Sequence, residues 1–107
     1  MSLDFSLHEV RPCEIFSRNI THNLVEMAKE AGIYIPLWHP EEMGAKFARD
    51  IIDQLQCGLD DLVARPKYYK KFDSPNGWGM YDHFVPFVSA VLLACIQSPD
   101  AEIKVSR

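Results

Sequence analysis

Residues 3–10 read Leu3-Asp4-Phe5-Ser6-Leu7-His8-Glu9-Val10, and residues 101–107 read Ala101-Glu102-Ile103-Lys104-Val105-Ser106-Arg107. Leu3, Phe5 and Leu7 alternate with Asp4, Ser6 and His8, and Ala101, Ile103 and Val105 with Glu102, Lys104 and Ser106. Period two is the mark of a strand with one buried face. The first strand is expected to stop near Arg11-Pro12, because proline removes a ladder donor. Cys13 to Phe16 can extend it past a bend. Terminal strands around a helical middle predict an α+β fold: a core of three to four helices, and a small sheet pairing the N- and C-terminal strands. A two-stranded ribbon is marginal alone, so its apolar face is expected on the last helix, with Leu92 and Ile96 buried.

Between the strands the spacing becomes helical. Thr21 or Asn23 suits a helix N-cap, and Asn23 with Glu26 has the form of a capping box. The helix then carries Leu24, Met27, Ala28 and Ala31 on one face and stops at Gly32. Residues 33–39 read as an apolar connector holding Pro36 and Trp38. Pro40, Glu41 and Glu42 open a second helix, with proline near the first position and acids in the first turn. Its apolar stripe, Phe47, Ile51, Leu55, Leu59 and Leu62, is the clearest amphipathic pattern in the chain. Residues 67–72 read as further turns, and residues 73–79 as irregular chain dense in turn residues. A last helix over about residues 82–97 is apolar on most sides. Pro86 falls in its first turn or kinks it.

With 107 residues, 48% hydrophobic and 24% charged, the chain is read as one globular domain, residues 1–107. A net charge of −4 without a cluster of Lys and Arg argues against a nucleic-acid partner. Lys67, Lys70 and Lys71 beside Tyr68 and Tyr69 are the nearest thing to a basic patch. The longest apolar run, 84–96, is too short to span a bilayer, so no membrane role is expected. Cys13, Cys57 and Cys95 are odd in number, widely spaced and outside any CxxC. That is the usage of reduced thiols in a cytoplasmic setting rather than of a disulfide or a zinc site.

Three polar-aromatic clusters stand out. Asn19-Ile20-Thr21-His22-Asn23 lies at the entry to the first helix, where free N–H groups attract anions. The same residue types also serve simply as caps. Leu37-Trp38-His39-Pro40 offers an indole, either as a core lid or as a pocket wall. Asn76-Gly77-Trp78-Gly79-Met80-Tyr81 sets a second indole between two glycines, either plugging the core or lining a ligand.

Catalytic templates fit poorly. His8, His22, His39 and His83 show no metal-ligand spacing, and no phosphate loop, dinucleotide fingerprint or nucleophile elbow is present. The sequence therefore points to no metal and no cofactor, and leaves catalytic residues unassigned. Cys57 and Cys95 sit in apolar helical contexts that suppress thiolate formation.

At these clusters the chain resembles a family of small, functionally uncharacterised proteins encoded by bacteriophages and prophages. The matching pieces are Asn19-Ile20-Thr21-His22-Asn23, Met27-Ala28, Ala31-Gly32-Ile33-Tyr34, Leu37-Trp38, Asn76-Gly77-Trp78-Gly79 with Tyr81, Ala94-Cys95, and Pro99-Asp100-Ala101 on to Ser106-Arg107. Two departures are His39, where the family pattern has arginine, and Pro86. The resemblance implies an accessory protein of a bacterial cytoplasm and conveys no activity.

The residues themselves favour a non-catalytic binding module. Asn19, His22, Asn23, Trp38, Asn76, Trp78 and Arg107 are expected to converge on a small polar or anionic, nucleotide-like ligand, with Arg107 gripping an oxyanion bidentately. The alternatives are a hydrolase or transferase using His22 as acid and base, and an interaction factor acting on a host protein.

Overall fold

The computed structural model describes residues 2–9 and 13–107, so the expected strand stop at Arg11-Pro12 and the side chain of Cys13 lie outside the described residues. The fold is α+β. Strands β1 (Ser2–Glu9), β2 (Cys13–Thr21) and β3 (Glu102–Ser106) form one antiparallel sheet in the order β2-β1-β3. The two ends of the chain pair as the alternation predicts, with Phe5 opposite Val105 and Leu7 opposite Ile103.

The ribbon is three-stranded, not two-stranded. Residues 13–21 turn back on β1 as a full strand, with Leu3 opposite Ile20 and Leu7 opposite Phe16. A bulge leaves Ile15 unpaired between Phe16 and Glu14, which breaks period two and hides the strand in the sequence. Leu3, Phe5 and Leu7 are fully buried on the inner face, and Asp4, Ser6 and His8 lie on the outer face. A third strand gives that inner face enough apolar width to seat helices.

Five α-helices stand between β2 and β3: α1 (Val25–Glu30), α2 (Tyr34–Trp38), α3 (Ile52–Ala64), α4 (Pro66–Tyr69) and α5 (Tyr81–Gln97). Helix α1 ends in a Schellman pair, with Gly32 N–H on Lys29 O at 3.1 Å and Ile33 N–H on Ala28 O at 2.9 Å.

The connector at 33–39 contains α2, because Pro36 falls within its first turn, where no N–H is missed. The single helix expected from Pro40 to Leu62 is broken. A 3-10 turn at Pro40–Met43 ends at Gly44, which is left-handed at φ 72°. Residues 46–49 then run along the edge of β3, with Ile103 N–H on Lys46 O at 2.9 Å and Ala48 N–H on Ala101 O at 2.8 Å. Asp50 reaches back to the N–H groups of Phe47 (2.9 Å) and Lys46 (3.0 Å). These bonds hold its carboxyl below the usual range. Covering the β3 edge outweighs the helical spacing of Phe47 and Ile51.

Helices α3 and α5 pack together, tied by Tyr81 Oη donating to Leu62 O at 2.8 Å. Helix α3 also lies tight on residues 31–33, where a Cβ at Gly58 would overlap Ile33 Cγ2. Helix α5 buries Phe84, Phe87, Val88, Val91, Leu92 and Cys95. Pro86 sits inside it on the exposed side, where water can reach the carbonyl that proline leaves unpaired. One part of the expected core is wrong: Leu92 is 5% exposed, but Ile96 is 51% exposed. Leu93 and Ile96 belong to an outer stripe that the inner face of α5 does not need. Among the described residues, no helix is long and apolar enough to cross a membrane. Cys57 is exposed and Cys95 buried, both as free thiols.

Candidate functional site

Where β2 runs into α1, the chain passes from extended to helical within three residues. Thr21 closes the strand, and its Oγ1 accepts from Asn23 N–H at 3.3 Å, capping a 3-10 turn at His22–Leu24. Asn23 does not complete the expected capping box with Glu26. Its side-chain Nδ2 donates instead to Trp78 O at 2.7 Å, across to the loop at 73–80.

That loop is closed on itself by its polar residues. Asn76 Oδ1 accepts from Trp78 N–H at 2.9 Å and from Ser74 Oγ at 2.6 Å, an Asx turn of the kind that replaces backbone pairing. Ser74 N–H meets Gly79 O at 3.1 Å, and Tyr81 N–H meets Asp73 Oδ1 at 2.6 Å. Gly79, at φ 108°, lies so close to the 3-10 turn that a Cβ there would sit 2.7 Å from Asn23 Cβ. Glycine is needed here for conformation and for contact.

The docked loop and the end of the sheet enclose an open cleft of about 620 Å³, lined by Ser2, Asn19, Thr21, His22, Asn23, Asn76 and Trp78. Five of the residues expected to converge are therefore in one place: Asn19, His22, Asn23, Asn76 and Trp78. Trp78 is 71% exposed, so it plugs no core. Asn19 Nδ2 is engaged by Ser2 Oγ at 2.8 Å and Asp4 Oδ1 at 2.5 Å.

Trp38 is buried behind His22 rather than lining the cleft, with ring centroids 6.3 Å apart and planes tilted by 58°. Its other side stacks on Tyr34 at 5.8 Å. His22 Nε2 and Trp38 Nε1 are both buried, and neither has a hydrogen-bond partner among the described residues. Buried polar atoms of this kind cost about 1–3 kcal/mol each unless something meets them. The two lie on adjoining rings behind the cleft lining, not in the cleft itself.

Arg107 is the residue whose expected place is corrected. Its Nη1 donates to Trp38 O at 2.8 Å and to Glu41 Oε1 at 2.7 Å, so it ties the C-terminus to the far side of Trp38. It does not line the cleft. The Nη1 group of the guanidinium expected to grip an oxyanion is instead directed at Glu41 and the carbonyl of Trp38, away from the cleft. His39 belongs to the same side, with Nε2 at 2.9 Å from Tyr34 Oη and Nδ1 at 3.1 Å from Glu42 Oε2. The helix entry gives an anion little support either, because a three-residue 3-10 turn and the six residues of α1 build almost no macrodipole.

Ser2 and Gly79 were missed as cleft-forming residues. Period two does place Ser2 on the polar face with Asp4, but no local signal joins that face to a loop more than seventy residues away. Comparison with family models, with curated proteins and with solved structures gives no match for this chain.

Proposed function

We propose that the protein is a phage- or prophage-type accessory factor that works as a non-catalytic binding module, with the cleft taking a small polar, nucleotide-like ligand. One observation carries this reading: the indole of Trp78 stands 71% exposed while the backbone on either side of it is fixed by Asn76 and Asn23. A mobile surface tryptophan would need no such anchoring. A fixed one offers a rigid aromatic face at little entropic cost on binding. The polar groups of Ser2, Asn19, Thr21, His22 and Asn76 stand round it, as in ligand sites where a few directional groups fix orientation.

The test is a thermal-shift screen of nucleosides, nucleotides and simple sugars. A ligand at about one hundred times its Kd stabilises the fold by about 2.7 kcal/mol, which a protein of this size reports as a shift of several degrees. Trp78→Ala is expected to leave the unliganded melting temperature within about a degree, since the ring is outside the core, and to remove the ligand-induced shift. A screen with no stabilising compound, or a shift that survives Trp78→Ala, contradicts the reading.

A further inference from the structure

The hydrogen bonds already made in the cleft leave a definite set of groups for a ligand. Asn19 spends both Nδ2 hydrogens, on Asp4 Oδ1 and Ser2 Oγ, and Asn23 spends one on Trp78 O. The carboxylate and the carbonyl only accept, which fixes the nitrogen side of each amide. Each asparagine therefore keeps an Oδ1 acceptor without a partner among the described residues, and Asn23 keeps one N–H as well. Asn76 is the reverse: its Oδ1 takes the N–H of Trp78, which only donates, and its Nδ2 donor is left over. Thr21 Oγ1 accepts from Asn23 N–H and keeps its own O–H. His22 Nε2 and the N–H of Trp38, both without partners among the described residues, are buried behind this lining and are not among the groups open to a ligand.

The charges point the same way. Among the described residues, no lysine or arginine lines the cleft. Arg107 is held by Glu41 and Trp38 O, and Arg18 donates to Ser17 O over the ring of Phe16. Among the described residues, the one formal charge bonded to a lining residue is the carboxylate of Asp4. The oxygens of a phosphate dianion only accept, so they would meet two amide carbonyl oxygens with no cation among the described lining residues to offset them. An amino group bonded to an aromatic ring donates to such oxygens, and the ring nitrogen beside it accepts from an amide N–H or hydroxyl.

We propose that the cleft reads an uncharged, amino-bearing heteroaromatic base. The base stacks on Trp78, with its exocyclic amine on the Oδ1 acceptors of Asn19 and Asn23 and a ring nitrogen on the donors of Asn76 or Thr21. Any phosphate the ligand carries stays in solvent. This deepens the binding-module reading and rests on it. Base–aromatic stacking is sequence-tolerant, so discrimination falls to the amide groups, as it does where asparagine reads adenine.

The test is calorimetric titration with adenosine, inosine, cytidine, uridine, adenosine monophosphate, inorganic phosphate and glucose. The expected result is that adenosine or cytidine binds at least about tenfold more tightly than its oxo counterpart, inosine or uridine. Adenosine and its monophosphate are expected to agree within about threefold, with affinity nearly constant between about 50 and 300 mM salt because no counterion is displaced. Trp78→Ala is expected to weaken binding about tenfold or more, and Trp78→Phe to recover part of that loss. Binding of the monophosphate or of inorganic phosphate without the nucleoside, with strong salt dependence, overturns this proposal and leaves the binding module standing. Preference for glucose, or for inosine and uridine, overturns it in the same way. Heat from none of the seven probes, with no shift in the broader thermal screen, overturns the module itself.

Discussion

The side-chain amide of Asn23 donates to the backbone carbonyl of Trp78 at 2.7 Å, joining the end of the first hairpin to a loop 55 residues further along the chain. This one bond brings two of the three polar-aromatic clusters into a common cleft. Asn23→Ala removes it while leaving the Thr21 cap, which uses the backbone N–H of residue 23. The expected cost is about 1 kcal/mol of stability. Acrylamide quenching of a Trp38→Phe background isolates the indole of Trp78. Its fluorescence anisotropy is expected to fall when Asn23 is replaced, and unchanged anisotropy would mean that the loop holds itself.

Gly79→Ala is expected to cost more. The new Cβ meets Asn23 Cβ at 2.7 Å, and φ 108° is a conformation that alanine rarely adopts. Left-handed strain and overpacking together amount to about 2–4 kcal/mol. The loop can escape part of this by lifting away from Asn23, so loss of ligand binding is expected to exceed what the fall in stability explains. Urea denaturation with a parallel binding titration separates the two, and intact affinity would show that contact between loop and hairpin is not required.

Arg107 separates the structural reading from the sequence reading. Because its guanidinium serves Trp38 O and Glu41, Arg107→Ala is expected to cost at most about 1 kcal/mol, as partly exposed ion pairs do. Ligand affinity is expected to stay within about twofold of the wild type, since the residue lies outside the cleft. A tenfold loss of affinity at unchanged stability would restore the oxyanion role that the sequence suggested.

The ends of the fold were legible because Leu3-Phe5-Leu7 and Ile103-Val105 keep strict alternation on a single buried face. Strand β2 was not, because the bulge at Ile15 shifts its register and most of its side chains face solvent. The break at Gly44 was hidden for a different reason. Phe47, Ile51 and Leu55 keep helical spacing, and only bonding to β3 and the turn before it, some fifty residues away, holds Phe47 extended and starts a separate 3-10 turn at Ala48–Asp50. In the cleft, the residue types marked Asn19, His22, Asn23, Asn76 and Trp78 as unusual polar and aromatic positions in turns. Arg107 was misplaced because its partners are Trp38 O, at the end of a helix that Pro36 disguised as a connector, and Glu41, in the 3-10 turn that follows it.

Stability is expected to fall at both ends of the pH range. Asp61 is held below its usual 3.8 by hydrogen bonds from Arg65 and Tyr69, and Asp50 by the N–H groups of Phe47 and Lys46. Lowered folded values mean that these contributions are fully present above about pH 3.8 and are lost as pH falls through the folded pKa values. Burial pushes the Cys95 thiol from 9.0 to about 12. Burial, with the bond to Asp61, likewise pushes the Tyr69 hydroxyl from 10.0 to about 12. Raised values give stability that is present below pH 9 to 10 and lost as pH climbs towards 12. Urea midpoints across this range are expected to show a flatter alkaline limb in Cys95→Ala than in the wild type. An unchanged limb would mean that the Cys95 thiol loses its proton as readily in the folded protein as in the unfolded chain.

The central claim is that the hairpin end and the Trp78 loop form one ligand site, and amide and indole resonances report on it directly. In a 15N heteronuclear titration with adenosine, shifts are expected at residues 19–23 and 74–79, including the indole N–H of Trp78 and the side-chain amides of Asn23 and Asn76. The buried indole N–H of Trp38 is expected to move with them, since its ring packs directly behind His22. Residues of α3 and the exposed side of α5 are expected to stay still. Shifts confined to α3, α5 or the Arg107 corner, or shifts at the hairpin end without the Trp78 loop, would contradict a single shared site.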